Sequence, residues 1–542
     1  MSNYDPIRLE IYKHLFAAVA EEMGVVLRKA SYSPNIKERR DYSCAVFDSQ
    51  ANMIAQAAHI PVHLGSMPLS VQAAIDKFDD LSPGDVFILN DPYRGGTHLP
   101  DITLVTPVFM QVAGESDSSS EAVDQLVGFV ASRAHHSDVG GITPGSMPVA
   151  NEIFQEGLII PPARLVAGGV INQGLMDVIL ANVRTPHERK GDLLAQIAAN
   201  QRGSARLLAM IDRYGWCEIN FYMGELLAYT ERMTRSLLAN MPDGEYVFED
   251  CMDDDGLSND PVPIKVKVII DGDLATIDFS GSASQQKGSI NAVIAITQSA
   301  VYYVFRCLLG LDVPNNSGCL APLEIIAPAG SVVNALAPAA VAGGNVETSQ
   351  RIVDVLLGAL AKIEMGEGKA VVPAASQGTM NNITVGGYDA DRERAFAYYE
   401  TIAGGMGARP DSDGPSAVHS HMTNTLNTPV EALEYDYPLR VLRYEVRPGS
   451  GGSGKYKGGD GIQRDIQILV DSEVTILSER RRFAPYGLFG GDPGKTGENR
   501  IIRDNEVTTL PGKGSFAMQA GDVLSLRTPG GGGYGSEDLK TS

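Results

Sequence analysis

Two runs of strand-forming residues lie close together early in the chain and favour an antiparallel pair. Residues 102–109 (Ile-Thr-Leu-Val-Thr-Pro-Val-Phe) and 126–132 (Leu-Val-Gly-Phe-Val-Ala-Ser) are rich in β-branched and aromatic side chains. The polar stretch 115–121 between them predicts a solvated loop. Strands joined by such a loop pair antiparallel, whereas parallel strands need a longer crossover. We therefore expect mainly antiparallel sheets.

Further periodic segments complete a mixed architecture. Residues 266–270 and 275–279 alternate apolar and polar residues on either side of Asp271-Gly-Asp273, which predicts a second hairpin. Apolar residues at helical spacing predict helices within 7–29, 176–240, 291–310 and 347–363. The segment after residue 436 is rich in glycine and strand-forming residues. The pattern predicts an α+β fold with helical layers and a β-rich C-terminal unit.

The length predicts several domains, because 542 residues exceed the size of an ordinary single core. A prior of about 150 residues per domain suggests roughly three or four units. We expect an N-terminal α+β domain that carries the candidate metal site (1–175), a helical region (176–255), a central α+β domain (256–435) and a glycine-rich β region (436–542).

Charge and composition exclude several classes of function. Acidic residues outnumber basic ones 66 to 44, so the net charge of -22 would repel nucleic acid. The five cysteines form no Cys-x-x-Cys pair, which favours a reducing compartment and argues against a disulfide framework. The sequence shows no apolar signal core and no uncharged apolar run of about 18 residues. We therefore expect a cytoplasmic protein without a membrane span.

The first hairpin is bracketed by His98 and Asp101 on one side and His135 on the other. In an antiparallel pair, the start of the first strand lies beside the end of the second, so these side chains should meet. Imidazole and carboxylate ligands suit Zn²⁺, Mn²⁺ or Fe²⁺, and three protein ligands leave room for water or substrate. Histidines at strand ends also serve as ordinary hydrogen-bonding residues, which is the competing interpretation.

Neighbouring polar residues could complete this site. Alternation along a strand leaves open which of His135 and His136 faces it. Asp41 and Asp138 are candidates for a further ligand or for a partner that orients an imidazole.

Other histidines are weaker candidates. His59 and His63 flank Pro61 in a predicted loop and could line the same cleft or serve as structural hydrogen-bonding residues. His419 and His421 share one face if that segment is extended and form a second, weaker candidate near the substrate pocket.

A phosphate-binding loop is not predicted. Gly490-Gly-Asp-Pro-Gly-Lys-Thr496 resembles one, but only three residues separate Gly490 from Gly494, and a strand-like segment follows. A β-turn is the better interpretation. No Gly-x-Gly-x-x-Gly dinucleotide motif and no convincing Gly-x-Ser-x-Gly elbow follow a predicted strand.

Four segments resemble the hydantoinase B/oxoprolinase family, and the resemblance spans nearly the whole chain. They are residues 33–48 (Ser-Pro-Asn-Ile-Lys-Glu-Arg-Arg-Asp-Tyr-Ser-Cys-Ala-Val-Phe-Asp), 90–101 (Asn-Asp-Pro-Tyr-Arg-Gly-Gly-Thr-His-Leu-Pro-Asp), 133–141 (Arg-Ala-His-His-Ser-Asp-Val-Gly-Gly) and 344–350 (Gly-Asn-Val-Glu-Thr-Ser-Gln).

The resemblance implies roles for individual residues. Similarity to carboxylase subunits of the same superfamily implies that His98, Asp101 and His135 are the metal ligands and catalytic residues, and it favours His135 over His136. Related lactamases imply a further carboxylate, for which Asp41 is the matching position. Zinc is the first choice of metal, with manganese and iron as alternatives.

The resemblance also implies a partner and a reaction. An A-type subunit would bind ATP and phosphorylate a small cyclic amide, such as hydantoin, 5-oxoproline or a lactam, which this chain would hydrolyse. The two chains would form a heterotetramer or a larger assembly. The alternatives are a subunit of an ATP-dependent ketone carboxylase and a non-catalytic scaffold for the A-type subunit.

Overall fold

A computed structural model of the protein describes residues 4–57, 59–112, 123–364 and 372–537, and the loop expected at 115–121 lies outside these ranges. The helices are α1 (Pro6–Ala30), α2 (Pro34–Lys37), α3 (Met67–Lys77), α4 (Gln173–Ala181), α5 (Pro186–Tyr214), α6 (Trp216–Ala239), α7 (Ile294–Leu308), α8 (Ser349–Leu360) and α9 (Val430–Asp436).

The first eleven strands lie before residue 330. They are β1 (Tyr42–Phe47), β2 (Met53–Gln56), β3 (Val86–Leu89), β4 (Asp101–Val112), β5 (Val123–His135), β6 (Ala163–Ala167), β7 (Val170–Ile171), β8 (Gly244–Met252), β9 (Val262–Asp271), β10 (Leu274–Asp278) and β11 (Leu323–Ile326).

Nine further strands follow in the second half of the chain. They are β12 (Asn382–Asp389), β13 (Arg394–Glu400), β14 (Leu439–Val446), β15 (Ile462–Ile468), β16 (Ser472–Leu477), β17 (Glu498–Arg503), β18 (Glu506–Leu510), β19 (Lys513–Met518) and β20 (Val523–Arg527).

The predicted hairpin forms the centre of a seven-stranded antiparallel sheet, in the order β2-β1-β5-β4-β3-β6-β7. Its strands, β4 and β5, are longer than the runs that predicted them, and Asp101 pairs directly with His135. On the other side of β5, Tyr42 of β1 pairs with Ala134. The sheet therefore brings three separate segments to one end of the hairpin.

Both faces of this sheet are buried. The long helices α1, α5 and α6 cover one face through a core that includes Phe16, Met23 and Leu207. The opposite face shares a continuous core with the central part of the chain, where Phe129 belongs to the same cluster as Ile296. Apolar side chains thus cover the sheet on two sides, and residues 97–101 and 134–140, at this end of the hairpin, are also buried.

The predicted second hairpin is also confirmed. β9 and β10 pair antiparallel around the turn between Asp271 and Leu274, within the sheet β11-β10-β9-β8. Among the described residues, β10 and β11 form the only parallel strand pair. The helices predicted within 291–310 and 347–363 correspond to α7 and α8, and the latter is preceded by a π-helical turn, Gly344–Thr348.

Two sheets, β13-β12-β16-β19 and β14-β15-β20-β17-β18, enclose a third core that includes Tyr398 and Ile466. The α+β class with mainly antiparallel sheets and a β-rich C-terminal part is thus confirmed. Since β12 pairs with β16, one sheet joins residues on both sides of position 435. The four-part domain division stays a prediction.

Glycine-rich loops of the second half pack backbone against backbone. We call five of these residues the glycine layer: Gly405, Gly451, Gly458, Gly459 and Gly531. A Cβ on Gly405 would come within 1.9 Å of the Gly459 carbonyl oxygen, and one on Gly458 would come within 1.9 Å of that of Gly531. Only glycine permits such a close approach of two backbones.

Two further predictions concern loops and membranes. Residues 492–497 form no regular element, and β17 follows them, as expected of a turn and not of a phosphate-binding loop. Within the described ranges, no helix combines the length and apolar character that a membrane crossing requires.

Candidate metal centre

The β4–β5 pairing brings together the three residues predicted to bind a metal. Asp101 Oδ1 lies 3.1 Å from His98 Nε2 and 3.3 Å from His135 Nδ1. One potential ligand atom from each residue lies within 4.8 Å of the other two, and all three residues are buried. The loop before β4 places His98, whose carbonyl oxygen accepts the amide proton of Asp101.

The chemistry of this group fits a cation. Burial would raise the pKa of Asp101, but His98 and His63 outweigh it and hold that pKa well below its usual range. Burial lowers the pKa of His135, which favours a neutral ring with a free lone pair. The other ring nitrogens, His98 Nδ1 and His135 Nε2, are buried and have no hydrogen-bond partner in the described part of the chain. A buried carboxylate with a lowered pKa beside the neutral ring of His135 belongs to a donor set that suits a divalent ion.

The second carboxylate oxygen of Asp101 is held from the protein side. Thr97 Oγ1 donates to Asp101 Oδ2 at 2.8 Å, and His63 Nε2 lies 3.4 Å from the same oxygen. Ser43 Oγ accepts the amide proton of Ile60 and lies 2.9 Å from His63 Nδ1. A proton donated by Ser43 to Nδ1 leaves the ring proton of His63 on Nε2, facing Asp101.

Residues from outside the β4–β5 hairpin also surround the three converging residues. Asn345 Nδ2, in the π-helical turn before α8, lies 3.1 Å from His98 Nε2. The ring of Tyr399, on β13, stacks on His135, and the guanidinium of Arg39 lies 4.9 Å from the centroid of the Tyr399 ring. No sequence pattern indicated that these three residues belong to the site, although Arg39 and Asn345 lie in segments that carry the family resemblance.

Asp41 lines the same cavity but does not belong to the group of three converging residues. Its carboxylate Oδ2 lies 3.8 Å from Arg39 Nη1, and its backbone oxygen accepts the amide proton of His135. The cavity, with a volume of about 20 Å³, is also lined by His63 and Tyr399. It has room for about one water-sized occupant.

The structure places His136 and Asp138 outside the cluster. His136 Nε2 lies 3.0 Å from Gln196 Oε1 on α5, and burial lowers its pKa to about 4. Asp138 accepts the amide protons of Gly140 and Gly145, and it pairs with Arg184 at 2.9 Å. Asp138 thus stabilises the loop after β5.

Of the remaining candidate histidines, only His63 contacts the three converging residues. His63 contacts Asp101, as described above, whereas His59 lines a different cavity and accepts the amide proton of Cys44 at Nδ1, at 3.2 Å. His421 Nδ1 lies 3.4 Å from the hydroxyl of Tyr303, and His421 does not belong to the group of three converging residues. His419 is likewise outside that group.

Comparison with known sequences shows relatives along the whole chain. The chain is 42% identical over 537 residues to an uncharacterized protein of Methanocaldococcus jannaschii, covering 98% of this chain and 91% of that protein. It is 40% identical to 5-oxoprolinase 1 of Arabidopsis thaliana, covering 98% of this chain but only 42% of the plant protein. It is 32% identical to the B-type subunit of a putative D-/L-hydantoinase of a Pseudomonas strain, with coverage of 99% and 91%.

Two solved structures and the sequence pattern of one protein family also match this chain. The ATP-dependent caprolactamase of Pseudomonas jessenii superposes with a TM-score of 0.88 at 27% identity, covering 100% of this chain and 93% of that chain. Acetone carboxylase superposes with a TM-score of 0.87 at 18% identity, covering 99% and 76%, which shows a shared fold. The sequence pattern of the Hydantoinase B/oxoprolinase family matches residues 5–537. The chain therefore belongs to the Hydantoinase B/oxoprolinase family.

Proposed function

We propose that this chain is the metal-dependent subunit of an ATP-dependent cyclic amide hydrolase, which opens a hydantoin, 5-oxoproline or lactam ring. The observation that carries the proposal is the buried convergence of His98, Asp101 and His135. The similarity to an ATP-dependent caprolactamase supports the choice of reaction.

His98, Asp101 and His135 would hold a divalent ion, with Asp41 as a fourth contributor from the wall of the same cavity. Zinc is the first choice for such a ligand set, and manganese and iron also suit it. A bound ion of this kind lowers the pKa of a water and polarises a carbonyl or phosphoryl oxygen.

The protein residues prepare the cavity for hydrolysis. The hydrogen bond from Thr97 and the contact with His63 fix the carboxylate of Asp101. Asp41 presents a second carboxylate to the cavity, where it can accept a proton from a water that attacks the ring carbon. The carbon–nitrogen bond of the ring would then break, with its electron pair staying on the nitrogen, which takes up a proton. This leaves an acyl phosphate, which a second water would hydrolyse to the carboxylate and inorganic phosphate.

ATP would be used by a separate A-type subunit, in a heterotetramer or a larger cytoplasmic assembly. The similarity to a protein named as the B-type subunit of a hydantoinase supports a partner. The chain also covers only 42% of a plant 5-oxoprolinase, so it corresponds to one part of that longer protein. Phosphorylation of the amide oxygen would weaken amide resonance and supply a better leaving group.

Co-expression of this chain with an A-type subunit, followed by a screen of cyclic amides for ATP-dependent ring opening, tests the proposal. His98→Ala should lose bound metal and ring opening together, whereas His187→Ala, which changes an exposed histidine of α5, should keep both. A metal-free His98→Ala complex with full activity would overturn the proposal. ATP turnover that depends on bicarbonate would instead indicate a ketone carboxylase.

A further inference from the structure

A second cavity lies beside the metal centre. We call it the outer pocket. Its volume is about 230 Å³. The cavity lined by Asp41, His63 and Tyr399, which we call the metal cavity, has a volume of about 20 Å³. The polar residues that line it are Glu21, Arg28, Arg40, Tyr42, His59 and Asn424.

The two cavities share part of their lining. Ile60 lines both of them. Asp41 lines the metal cavity, whereas its neighbours Arg40 and Tyr42 line the outer pocket. The segment 422–426 divides in the same way, since Met422 and Thr423 line the inner side and Asn424 and Leu426 the outer side. The outer pocket is therefore the space next to the proposed metal ligands.

Local backbone geometry produces this arrangement. The amide of Tyr42 donates to the carbonyl oxygen of Arg40 at 2.9 Å, which forms a three-residue turn centred on Asp41. Arg40 itself has a φ of 57°, a left-handed conformation that side-chain-bearing residues adopt rarely. Strain of this kind concentrates at functional sites. Asn424 Nδ2 donates to the His59 carbonyl oxygen at 3.0 Å and fixes the opposite side of the lining.

Only the larger of the two cavities has room for a cyclic reactant. A cavity of about 20 Å³ holds one water-sized group, so it cannot enclose a five- to seven-membered ring. The outer pocket, of about 230 Å³, is large enough for such a ring with a substituent. A cyclic reactant would thus occupy the outer pocket, and the side chain of Ile60, which lines both cavities, would have to move for an atom of the ring to reach the metal centre.

The charges of the outer pocket favour an anion. Two arginines, Arg28 and Arg40, and one carboxylate residue, Glu21, line the pocket. His59 adds no charge, because burial lowers its pKa to about 3. Its Nδ1 accepts the amide proton of Cys44, so Nε2 carries the ring proton and is a donor. Planar guanidinium groups bind carboxylate and phosphate oxygens through paired hydrogen bonds.

We propose that the outer pocket binds the cyclic reactant and that Arg28 and Arg40 recognise an oxyanion on it. This inference rests on the proposed function, and it requires the bound reactant to carry an oxyanion. The shared chemistry is that of an oxyanion with two or three oxygens, which is either a carboxylate on the ring or the phosphoryl group on the activated oxygen.

Calorimetric titration of the purified metal-loaded chain tests this. The probes are 5-oxoproline, 2-pyrrolidinone (the same ring without the carboxylate) and inorganic phosphate. Arg28→Gln and Arg40→Gln should each weaken binding of an anionic probe about tenfold or more, as expected for loss of a hydrogen bond between charged groups. Lys29→Gln, which changes the exposed neighbour of Arg28, should have no effect.

The probes identify the source of the oxyanion. Arginine-dependent binding of 5-oxoproline, without comparable binding of phosphate, assigns the pocket to a ring carboxylate. Arginine-dependent binding of phosphate assigns it to the phosphoryl group. Equal affinity for 5-oxoproline and 2-pyrrolidinone, with no arginine-dependent binding of phosphate, would overturn the inference.

This result is separable from the test of the proposed function. Arg28→Gln and Arg40→Gln should keep their metal content, whereas His98→Ala should lose it. If the wild-type complex opened no cyclic amide but the chain still bound an anion through the two arginines, the proposed function would fail and the pocket would stand. If the complex opened the ring but the chain showed no arginine-dependent binding, the inference about the outer pocket would fail and the proposed function would stand.

Discussion

The imidazole of His135 lies flat against the phenol ring of Tyr399, with ring centroids 4.3 Å apart and 18° between the ring planes. Arg39 contributes a cation–π contact to the same phenol ring. The Tyr399 hydroxyl donates to Asn382 Oδ1 at 2.9 Å, and Asn382 Nδ2 donates to Glu347 Oε1 at 2.7 Å. The orientation of a proposed metal ligand thus depends on a strand more than 250 residues further along the chain.

Replacement of Tyr399 should weaken metal binding by removing this contact. We expect Tyr399→Leu to lower the affinity for a divalent ion about 10- to 100-fold, the usual effect of losing a group that orients a ligand. Tyr399→Phe keeps the stack and should remain within a few-fold of wild type. Competition with a chelating dye measures the affinity. Tyr388→Leu, at a position 60% exposed on the neighbouring strand, is the control, and equal affinities of Tyr399→Leu and wild type would contradict the expectation.

Glu156 should make stability depend on pH. Its Oε1 accepts the amide protons of Val341 and Ala342, each at 2.8 Å, and burial raises its pKa from 4.5 to about 8. Between these two pH values the folded state holds a proton that the unfolded state releases, so this group's contribution to stability falls as pH rises from about 4.5 to about 8.

Glu156→Gln preserves the acceptor oxygen and removes the titration. Its melting temperature should therefore decline less than that of wild type between pH 4.5 and 8. Glu506→Gln, which changes an exposed residue of β18, should follow the wild-type profile. Parallel profiles for Glu156→Gln and wild type would show that Glu156 does not titrate in this range.

A pair of glycines tests the role of the π-helical turn before α8. A Cβ on Gly344 would lie 1.8 Å from the carbonyl oxygen of Asn291, so Gly344→Ala must displace the turn that carries Asn345. We expect a lower melting temperature and reduced metal content. A Cβ on Gly224, in the middle of α6, would meet no atom within 4 Å, so Gly224→Ala should stabilise the protein by about 0.5–1 kcal/mol. Calorimetric melting and metal analysis of both variants test this, and a Gly344→Ala variant with the melting temperature and metal content of wild type would contradict the expectation.

Arg133 should be important for stability although it forms no ion pair within 4 Å in the described part of the chain. Its guanidinium donates to Thr103 Oγ1 at 2.8 Å, Ser66 Oγ at 2.5 Å and Ser70 Oγ at 2.7 Å. Arg133→Met would leave three buried hydroxyls without their donor, at a cost of about 3 kcal/mol. Urea unfolding measures this, with the exposed Arg213→Met as the control, and equal midpoints would contradict it.

Local patterns predicted much of the fold. The alternation around Asp271-Gly-Asp273 and the β-branched runs beside Asp101 and His135 identify hairpins because a strand pair joined by a short loop depends on nearby residues. The meeting of His98, Asp101 and His135 follows from that same pairing. Their assignment as metal ligands, together with Asp41, stays a prediction.

The parts of the site that no sequence pattern predicted depend on tertiary contacts. Tyr399 reaches His135 only because β13 and the first sheet pack together, and no periodicity in the sequence encodes that contact. Asn345 depends on a π-helical turn, which a pattern typical of α-helices does not reveal. His59 and His63 are four residues apart, yet they face different cavities because a short 3₁₀ helix, Pro61–His63, intervenes.

The glycine layer implies an unusual response to mutation. At most buried positions a substitution is graded, since a slightly larger side chain causes a slightly larger disturbance. Here the obstacle is a carbonyl oxygen of the main chain, which would lie 1.9 Å from a Cβ on Gly405, Gly451 or Gly458. Alanine would therefore be nearly as harmful as leucine at these positions. In a saturation scan, the loss of stability should be almost complete with alanine here, whereas at other core positions it should increase with side-chain size.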